Sequence, residues 1–497
     1  DIPSLVDTLK EVDGIDADDF RYAQLKGRAN YLCLNRWATL RESEALSSDE
    51  ARFLSKILVW LRTSESGDRS ELNLGYRRAA APWDRISAQD ARECSGVRGV
   101  CFLRAARERA AAAHLVVVNH ALLMSDLIAG GTLIPDYDVL IIDEGHHLEE
   151  EATRHLGFEV SQLGFDDLLS SLIGETGLLN RLEVAYRTSG IADSRMQTFE
   201  EIIANVFALI PQTRGVITRM FGVLDNLVSE NDSYNHNQEL RVTRATRNQP
   251  DWSTLEIEWE TTDMILSTLY QVLSEVNVSI KSLEESKVQG YDALLGELLK
   301  SQQLVADLRA RLGEFVAHPN DEGIYWTSRF GAGGNLTLHS APLHVASDLN
   351  QLLFKDKHSV VLTSATLTTR DTFDHVLDRT GLEDAEQLLL GSPFDYSKAV
   401  SLIVPKDMPE PNGGSYSDSI ASAVTDSTVA AKGRTMALFT SHAALQEVSS
   451  AIRSNLWSMG YEVLAQGVDG APHQLIRRFQ ANPESVLLGT ASFWEGV

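Results

Sequence analysis

Short apolar runs rich in Val, Ile and Leu recur along the chain, and each ends in small or polar residues. They lie at 114–118, 139–142, 360–362, 436–439 and 486–488, and the polar ends that follow them are NHALL, DEGHH, TSAT, TSH and GTAS. Continuous apolar strands of this kind are typical of a parallel sheet covered by helices. Ligands of such sheets bind beyond the carboxyl ends of the strands, so the pattern predicts one or two α/β domains with their chemistry on a common edge.

The pattern changes to a helical one between residue 151 and about residue 319. A helical stripe of apolar residues is formed by Leu294, Leu295, Leu298, Leu299, Leu304, Val305, Leu308, Leu312 and Phe315. The stretch 261–289 contains neither Gly nor Pro and predicts another long helix. The polar run ENDSYNHNQ, which begins at Glu230, predicts a loop between helices. We therefore expect a helical insertion that separates strands of the sheet.

Composition places the chain among ordinary soluble proteins. Its 497 residues are 43% hydrophobic and 23% charged, and the length is enough for about three domains. No apolar run approaches the roughly 20 residues of a membrane span, and the start lacks the layout of a signal peptide. These features predict a cytoplasmic protein. Three cysteines are too few for a disulfide scaffold and odd in number, which points to reduced thiols that could ligate a metal.

The charge is distributed unevenly. The whole chain has a net charge of −26, which argues at first against a nucleic-acid partner. Residues 21–109, however, contain 17 Lys and Arg against 11 Asp and Glu, a local net of +6, and they also contain all three cysteines. This segment is either a basic surface for phosphate or a fluctuation within an Arg-rich stretch.

The segment VLIIDEGHHLEEEATRHL, residues 139–156, ends an apolar strand in two acids, a glycine and two histidines. A metal site would require His146, His147, Glu150 and His155 to converge, and HHxxE lacks the i, i+4 pair of His that helical zinc sites use. An ordinary strand end that runs into a helix with acids near its positive end explains the acids, but not the pair of His.

A third interpretation uses every residue of the segment. An Asp at the end of a buried strand can orient Mg²⁺ beneath nucleotide phosphates, and the next Glu can position and deprotonate the attacking water. A small Gly leaves room for a phosphate, and a His beside it can sense the γ-phosphate. The residues in these places are Asp143, Glu144, Gly145 and His146.

These four residues resemble the D-E-A-H Walker B motif of superfamily 2 helicases, with Gly in place of Ala. Further motifs follow in the expected order: the S-A-T motif, LFTSH at 438–442 and GTASFWEGV at 489–497. VVVNHALL at 116–123 and GSPFDY at 391–396 are similar to stretches of one branch, the DinG/XPD-like DNA helicases. The resemblance spans nearly the whole chain.

The resemblance implies roles for individual residues. It assigns catalysis to Asp143, Glu144 and His146, and the coupling of hydrolysis to DNA movement to Ser364, Ala365 and Thr366. Gly489, Thr490 and Glu495 would face the nucleotide cleft or the DNA backbone. Thr440, Ser441 and Ser492 would contact DNA phosphates, as small hydroxyl donors suit contacts that position without recognising sequence.

The same resemblance implies an α/β fold of two RecA-like parallel-sheet motor domains, with a helical arch insertion and a small cysteine-containing insertion. The expected boundaries are 1–20 and 114–155 for partial motor domain 1, 21–113 for the iron-sulfur-type insertion, 156–320 for the arch, 321–375 for return strands of motor domain 1 and 376–497 for a truncated motor domain 2. The activity implied is 5′ to 3′ translocation on single-stranded DNA, with unwinding of duplexes in repair or replication.

In that family four cysteines hold a [4Fe-4S] cluster. YLCLNRW around Cys33, and ECSGVRGVCFLRAAR around Cys94 and Cys101, match the family's surroundings, but the fourth ligand is missing. Three outcomes remain open: an incomplete or labile cluster, a ligand other than Cys, or a fold without metal in which the thiols are unligated.

The chain departs from the family in one further respect. It contains no Gly-Lys-Ser or Gly-Lys-Thr, the end of the loop that cradles phosphates in these motors. It opens at Asp1 without a Met and closes at Val497 inside a motif that continues past Gly496 in the family, and the arginine-finger motif that would come next is missing. We therefore expect an internal fragment that does not hydrolyse ATP by itself.

Two functions are expected from these observations. The first is an ATP-dependent DNA helicase that uses Mg²⁺ with ATP, acts on single-stranded or forked DNA and is nucleoid-associated in the cytoplasm. The alternative is a catalytically degenerate protein of the same fold that binds single-stranded or branched DNA. Glu144 favours the motor, since a chain released from catalysis has no chemical reason to keep an acid beside Asp143. A nuclease has little support.

Four aromatic residues near these motifs have two interpretations each. Phe493 and Trp494 could stack on a base or belong to a core. Tyr31 and Trp37, near Cys33, are predicted to be packing residues.

Overall fold

The computed structural model of this chain describes residues 8, 20–41, 48–72, 80–89, 101–174, 177–190, 193–230, 237–282, 291–330, 335–382, 384–411, 413–470, 472–490 and 493–494. These residues divide into two compact units. One contains the described residues up to Val118 together with those from Leu389 onward, and the other is Asn119–Leu388.

Strands are present in both units. In chain order they are β1 (Tyr22–Gln24), β2 (Leu115–Val117), β3 (Val139–Ile142), β4 (Phe158–Ser161), β5 (Asn237–Val242), β6 (Gly323–Phe330), β7 (Thr337–Pro342), β8 (Ser359–Leu362), β9 (Thr435–Leu438), β10 (Glu462–Ala465) and β11 (Ser485–Gly489). Each of the five apolar runs identified in the sequence overlaps one of these strands.

Helices make up most of the remaining described structure. They are α1 (Leu34–Arg41), α2 (Ser48–Trp60), α3 (Ala80–Ile86), α4 (Phe102–Ala111), α5 (His120–Ile128), α6 (Leu148–Leu156), α7 (Gln162–Ile173), α8 (Leu178–Thr188), α9 (Asp193–Glu230), α10 (Arg244–Arg247), α11 (Pro250–Lys281), α12 (Tyr291–Val316), α13 (Ala346–Asp348), α14 (Asp374–Thr380), α15 (Tyr396–Ala399), α16 (Tyr416–Ala431), α17 (His442–Ser458) and α18 (Pro472–Ala481). A π-helix, Leu349–Phe354, continues α13. None of the described helices is both long and apolar enough to cross a membrane.

The strands predicted from continuous apolar runs pair in parallel. β3 pairs with β8 in a register that sets Ile142 opposite Leu362, and β1 pairs with β2. The third parallel sheet has the order β10, β11, β9. The α/β fold class with parallel sheets is therefore confirmed.

Burial differs between these parallel sheets. Every residue of β11 is buried, as expected for a strand covered on both faces. Along β3 the residues alternate instead: Leu140 and Ile142 are buried, whereas Val139 and Ile141 are 54% and 63% exposed. In the part of the chain that the structure describes, β3 thus has one covered face.

The segment between β1 and β2 has a hydrophobic core of its own. Its buried residues include Leu32, Phe53, Ile57, Trp60, Trp83 and Ile86. The rings of Trp60 and Trp83 meet edge to face with centroids 6.3 Å apart, and Trp83 Nε1 donates to the carbonyl of Ala29 at 2.7 Å. The indole donor is satisfied inside the core, as a buried Trp requires.

The block predicted to be helical contains the long helices α9, α11 and α12, which pack on one another around a large core. Two strands of this block, β4 and β5, belong to a sheet that the pattern did not predict. This sheet is antiparallel, with the order β4, β7, β6, β5. β5 begins at Asn237, within the run predicted to be a loop, while residues 231–236 of that run lie outside the described part.

The topology after the helical block differs from the expected boundary at 320. β6 and β7 pair with β5 and β4, so residues 323–342 extend the sheet of the insertion, and β8 is the strand that returns to pair with β3. The physical reason is register: Tyr325 and Leu338 point into the helical core, and antiparallel pairing places both on that face.

Candidate nucleotide and coupling site

The DEGH segment forms a tight turn at the carboxyl end of β3. Glu144 adopts the left-handed backbone conformation, with φ 50° and ψ 44°, and Gly145–His147 form a single 3-10 turn before α6. Two backbone hydrogen bonds continue the pairing with β8: Thr363 N donates to Ile142 O at 2.9 Å, and Gly145 N donates to Thr363 O at 3.0 Å. The turn is thereby held against the residues that follow β8.

Side chains from the two strand ends meet at Ser364. His146 Nδ1 and Ser364 Oγ are 2.7 Å apart, although the residues are 218 positions apart in sequence. The Ser364 hydroxyl also lies 3.5 Å from Glu144 Oε2, and it accepts a hydrogen bond from Thr366 N at 3.2 Å. His146 Nδ1 lies 3.4 Å from the same Glu144 oxygen. The structure therefore brings together the predicted catalytic and coupling residues.

Exposure distinguishes the members of this cluster. The side chain of Glu144 is 44% exposed and that of His146 is 27% exposed. Asp143, Ala365 and Thr366 are exposed. Asp143 Oδ1 accepts a hydrogen bond from Glu144 N at 3.0 Å. The two carboxylates and the Ser364 hydroxyl thus lie at an accessible edge of the β3 and β8 sheet.

His120 is a neighbour of this turn that the sequence did not identify as a site residue. Its Nε2 lies 2.9 Å from the backbone carbonyl oxygen of Asp143. A carbonyl oxygen can only accept, so His120 must hold its proton on Nε2. α5 fixes its position: Asn119 caps the helix by accepting a hydrogen bond from Leu122 N at 2.9 Å. The sequence signal that could have identified His120 is the segment NHALL, which directly follows an apolar strand.

The alternative metal site at His146, His147, Glu150 and His155 does not form. His146 is bonded to Ser364, and His155 Nε2 faces Glu151 at 3.6 Å. Burial lowers the pKa of His155, the charge of Arg154 lowers it further, and Glu151 opposes this shift by a smaller amount. Across the described part of the chain, no three His, Cys, Asp or Glu side chains lie together in a way that would hold a metal ion.

A second constellation lies at the carboxyl ends of β9, β10 and β11. Thr490 N and Thr490 Oγ1 both donate to Gln466 Oε1, at 2.8 and 3.0 Å, and His442 Nε2 lies 3.4 Å from Thr490 Oγ1. Thr490 and Gln466 are only 6% and 5% exposed. Gln466 was missed because β10 was not predicted, although VLAQG is another apolar run with a polar end.

Of the residues predicted to contact DNA phosphates, two lie at the carboxyl end of β9. Thr440 and Ser441 are exposed. Ser441 Oγ caps α17 by accepting a hydrogen bond from Ala444 N at 3.2 Å, which leaves its own hydroxyl proton available. Ser492 and Glu495 lie outside the described residues.

Packing is sufficient to explain why position 489 is a glycine, independently of a ligand in the predicted nucleotide cleft. A Cβ atom at this position would lie 2.7 Å from Phe493, which is 2% exposed and packs with Leu464, Leu475 and Leu487. Phe493 is therefore a core residue, whereas Trp494 is 57% exposed. Of the two aromatic residues considered for base stacking, Trp494 is the accessible one.

The cysteine-containing segment is described in part. Cys33 is buried just before α1, and Cys101 is half-buried at the N-cap of α4. Cys94 lies outside the described residues. Tyr31 is buried and its hydroxyl oxygen accepts from Lys26 N at 3.0 Å, while Trp37 packs on the segment's core beneath Arg41. Both aromatics are packing residues, as predicted.

Residues 425–497 match the helicase C-terminal domain family. The chain is 27% identical to the protein named 3'-5' exonuclease DinG of Bacillus subtilis, over 96% of the chain and 52% of that protein. It is 28% identical to the ATP-dependent DNA helicase YoaA of Escherichia coli, over 100% of the chain and 70% of that protein. It is 29% identical to the ATP-dependent helicase DinG of Mycobacterium tuberculosis, over 100% of the chain and 69% of that protein.

The chain thus spans about half the length of the Bacillus subtilis relative. Among solved structures, one titled XPD helicase aligns with 99% of this chain and 70% of its own, at 12% identity and a TM-score of 0.41. The resemblance to DinG-like DNA helicases, first inferred from the ordered motifs, is confirmed by the sequence relatives and by the matched helicase C-terminal domain family.

Proposed function

We propose that this chain is part of an ATP-dependent DNA helicase, a motor that hydrolyses ATP to move along single-stranded DNA and separate paired strands. The observation that supports it best is the contact of Ser364 with both His146 and Glu144. Similarity to proteins named helicases extends over nearly the whole chain.

Asp143 and Glu144 are suited to phosphate chemistry. The exposed Asp143 carboxylate stands at a strand end, where it can hold a hydrated cation. Glu144 Oε2 faces Ser364 and His146, whereas none of the described residues hydrogen-bonds Oε1. Glu144 Oε1 is the atom that would take the proton of the attacking water. Mg²⁺ with ATP, when bound, supplies the phosphorus centre and the charge that polarises it.

Ser364 gives the S-A-T segment a direct connection to this carboxylate. Its hydroxyl accepts from Thr366 N and can donate to either His146 or Glu144. When Glu144 gains a proton it becomes a poorer acceptor, so the Ser364 hydroxyl shifts toward His146. The backbone of Thr366 follows, and the state of the phosphate is transmitted to the exposed S-A-T segment.

Single-stranded or forked DNA is the proposed substrate, with 5′ to 3′ movement. Thr440 and Ser441 support it because both are exposed at the carboxyl end of β9, and the Ser441 hydroxyl can still donate to a phosphate. The basic segment 21–109 is a further surface suited to phosphates. Action in DNA repair or replication is part of the same proposal.

An iron-sulfur cluster at Cys33, Cys94 and Cys101 is a separate part of the proposal. The cysteines alone do not complete a [4Fe-4S] site, because the chain has three of them where four ligands are needed. No step of hydrolysis or movement is assigned to a cluster.

The test is ATP turnover by the full-length gene product that contains this chain, with and without single-stranded DNA. Glu144→Gln removes the proton acceptor and should lower turnover by about 100-fold or more while ATP and DNA binding persist. Glu150→Gln is the matched control, since Glu150 is an exposed acid on α6, and it should retain turnover.

Retained turnover in Glu144→Gln would remove this residue from its proposed role. Tight DNA binding by the wild-type protein without any hydrolysis would instead establish the alternative, a degenerate DNA-binding protein of the same fold.

A further inference from the structure

Arg379, on α14, bonds to two segments that are distant in sequence. Its Nε donates to Glu149 Oε1 on α6 at 2.6 Å, and a second guanidinium nitrogen lies 2.5 Å from the same oxygen. A third nitrogen donates to His344 Nδ1 at 2.8 Å. The side chains of Arg379 and Glu149 are 24% and 30% exposed. The guanidinium of Arg379 thus forms hydrogen bonds to two separate segments of the chain.

The two segments that Arg379 contacts are the connections between the parallel sheet and the helical insertion. α6 begins directly after the DEGH turn and leads through Gly157 into β4. β7 ends at Pro342 and leads through Leu343 and His344 toward β8 and the S-A-T segment. The chain enters the insertion by the first connection and leaves it by the second.

These two connections are in close backbone contact. A Cβ atom at Gly157 would lie 2.2 Å from the carbonyl oxygen of Ser340, so no residue with a side chain fits there without displacing β7. β4 and β7 then pair directly, with Phe158 opposite Ser340. The base of the insertion is therefore one joined element, and a displacement of the insertion moves both connections together.

Arg379 bonds to the base of the insertion from α14. α14 follows the S-A-T segment in sequence and packs against α6. A small cavity separates Arg379 from the DEGH turn and is lined by Gly145, His146, Thr366 and His375. The hydrogen bond that Arg379 donates to Glu149 raises the pKa of Arg379, so the guanidinium stays charged at any physiological pH.

We propose that Arg379 is a positioning residue that fixes the base of the helical insertion to the DEGH and S-A-T segments, so that stimulation of ATP hydrolysis by DNA depends on it. This inference rests on the proposed function and deepens it by naming the link through which the insertion acts on Glu144. Without Arg379, α6 and α14 still fold, but α6 and the base of the insertion can shift without displacing α14 and the S-A-T segment that precedes it.

The test uses Arg379→Gln in the full-length gene product. Its control is Arg309→Gln, because Arg309 makes a pair of similar geometry and exposure within the insertion, with Nε and a terminal nitrogen 2.6 and 3.0 Å from the two oxygens of Asp263. ATP turnover is measured without DNA and with saturating single-stranded DNA, along with the DNA dissociation constant and the melting temperature.

We expect the stimulation by DNA to fall by about 5- to 20-fold in Arg379→Gln, while turnover without DNA changes by no more than about twofold. Glu149→Gln should give a similar loss, and the double variant should lose little more than either single variant, since both remove one interaction. Arg379→Lys, which keeps the charge but not the fork, should lie between wild type and Arg379→Gln. Arg309→Gln should retain full stimulation.

Three results would overturn the inference. Full stimulation in Arg379→Gln would remove the residue from coupling while the proposed helicase stands. Equal losses with and without DNA, or a fall in melting temperature shared by Arg379→Gln and Arg379→Lys, would make its role structural. A wild-type protein whose hydrolysis does not respond to DNA would overturn the proposed function itself.

Discussion

At the scale of single residues, the geometry of Glu144 is the most informative feature. A non-glycine residue in the left-handed region costs about 1–2 kcal/mol, and such costs concentrate where function requires a particular direction of a side chain. Here the conformation is held by Gly145 N, which donates to Thr363 O, and by His147 N, which donates to Glu144 O at 3.0 Å. The turn directs the carboxylate of Glu144 toward Ser364.

Gly489 gives a prediction at the same scale. Gly489→Ala places a Cβ atom 2.7 Å from the buried ring of Phe493, so the free energy of local unfolding around β11 should fall by about 1–3 kcal/mol. Hydrogen exchange of the β11 amides measures it directly.

Gly222→Ala is the control for that substitution. Gly222 lies within α9 and a Cβ atom there meets nothing within 4 Å, so the exchange protection of α9 should rise by about 0.5–1 kcal/mol. Unchanged protection of β11 in Gly489→Ala would show that packing against Phe493 does not require a glycine at this position.

At the scale of elements, β6 ties the antiparallel sheet to the helices of the insertion. The hydroxyl of Tyr325 donates to Glu314 Oε1 on α12 at 2.8 Å and accepts from Asn320 N at 2.7 Å. Arg247 lies over the rings of Trp252 and Tyr325, 4.9 and 5.1 Å from their centroids, and burial lowers the pKa of this guanidinium. Aromatic and charged groups together hold α10, α11 and β6 in place.

This arrangement predicts an alkaline limit to the stability of the insertion. Burial, followed by the hydrogen bond to Glu314, raises the pKa of Tyr325 to about 12. An unfolded Tyr ionises near pH 10, so the contribution of Tyr325 is complete below about pH 10 and is lost as the pH rises from there toward 12.

Urea unfolding followed by circular dichroism at pH 9 and at pH 11.5 measures this loss. Tyr325→Phe should be less stable than wild type at pH 9 and should lose less stability between the two pH values, because it has no phenol to ionise. An equal decrease in both proteins would show that other groups cause the alkaline transition.

At the scale of the whole molecule, the two units each contain one of the predicted constellations. The DEGH and S-A-T segments lie in the unit Asn119–Leu388, while Thr440, Ser441 and Thr490 lie in the other. The cysteine-containing segment in that other unit packs Trp60 and Trp83 in its own core. Its fold therefore has a source of stability that is independent of metal.

A prediction about metal belongs to this scale. The proposed cluster predicts that anaerobically purified full-length protein contains iron and sulfide that are lost in Cys94→Ser. The cysteine-containing segment should stay folded in this variant, because its aromatic core of Trp60 and Trp83 remains. Iron analysis and near-ultraviolet circular dichroism measure the two effects. Wild-type protein without iron, with a normal spectrum, would establish unligated thiols.

Local sequence was sufficient for five strands of the parallel sheets and for two of the long helices of the insertion. The five apolar runs form β2, β3, β8, β9 and β11 because a strand covered by helices must be apolar along its whole length. The helical stripe from Leu294 lies within α12. DEGH and S-A-T were predicted as one site because the carboxyl ends of parallel strands share an edge, and β3 and β8 are direct neighbours.

Pairings between distant segments were decided by tertiary structure. The polar segment at β5 becomes a strand because β6 provides its hydrogen-bond partners and the helical core covers Leu240 and Val242. Contacts with residues 23, 24 and 230 positions away in sequence fix the positions of His120, Gln466 and Arg379, respectively. Periodicity records which face of an element is buried, but it contains no information about which distant side chain will stand opposite, and that partner is fixed when the elements pack.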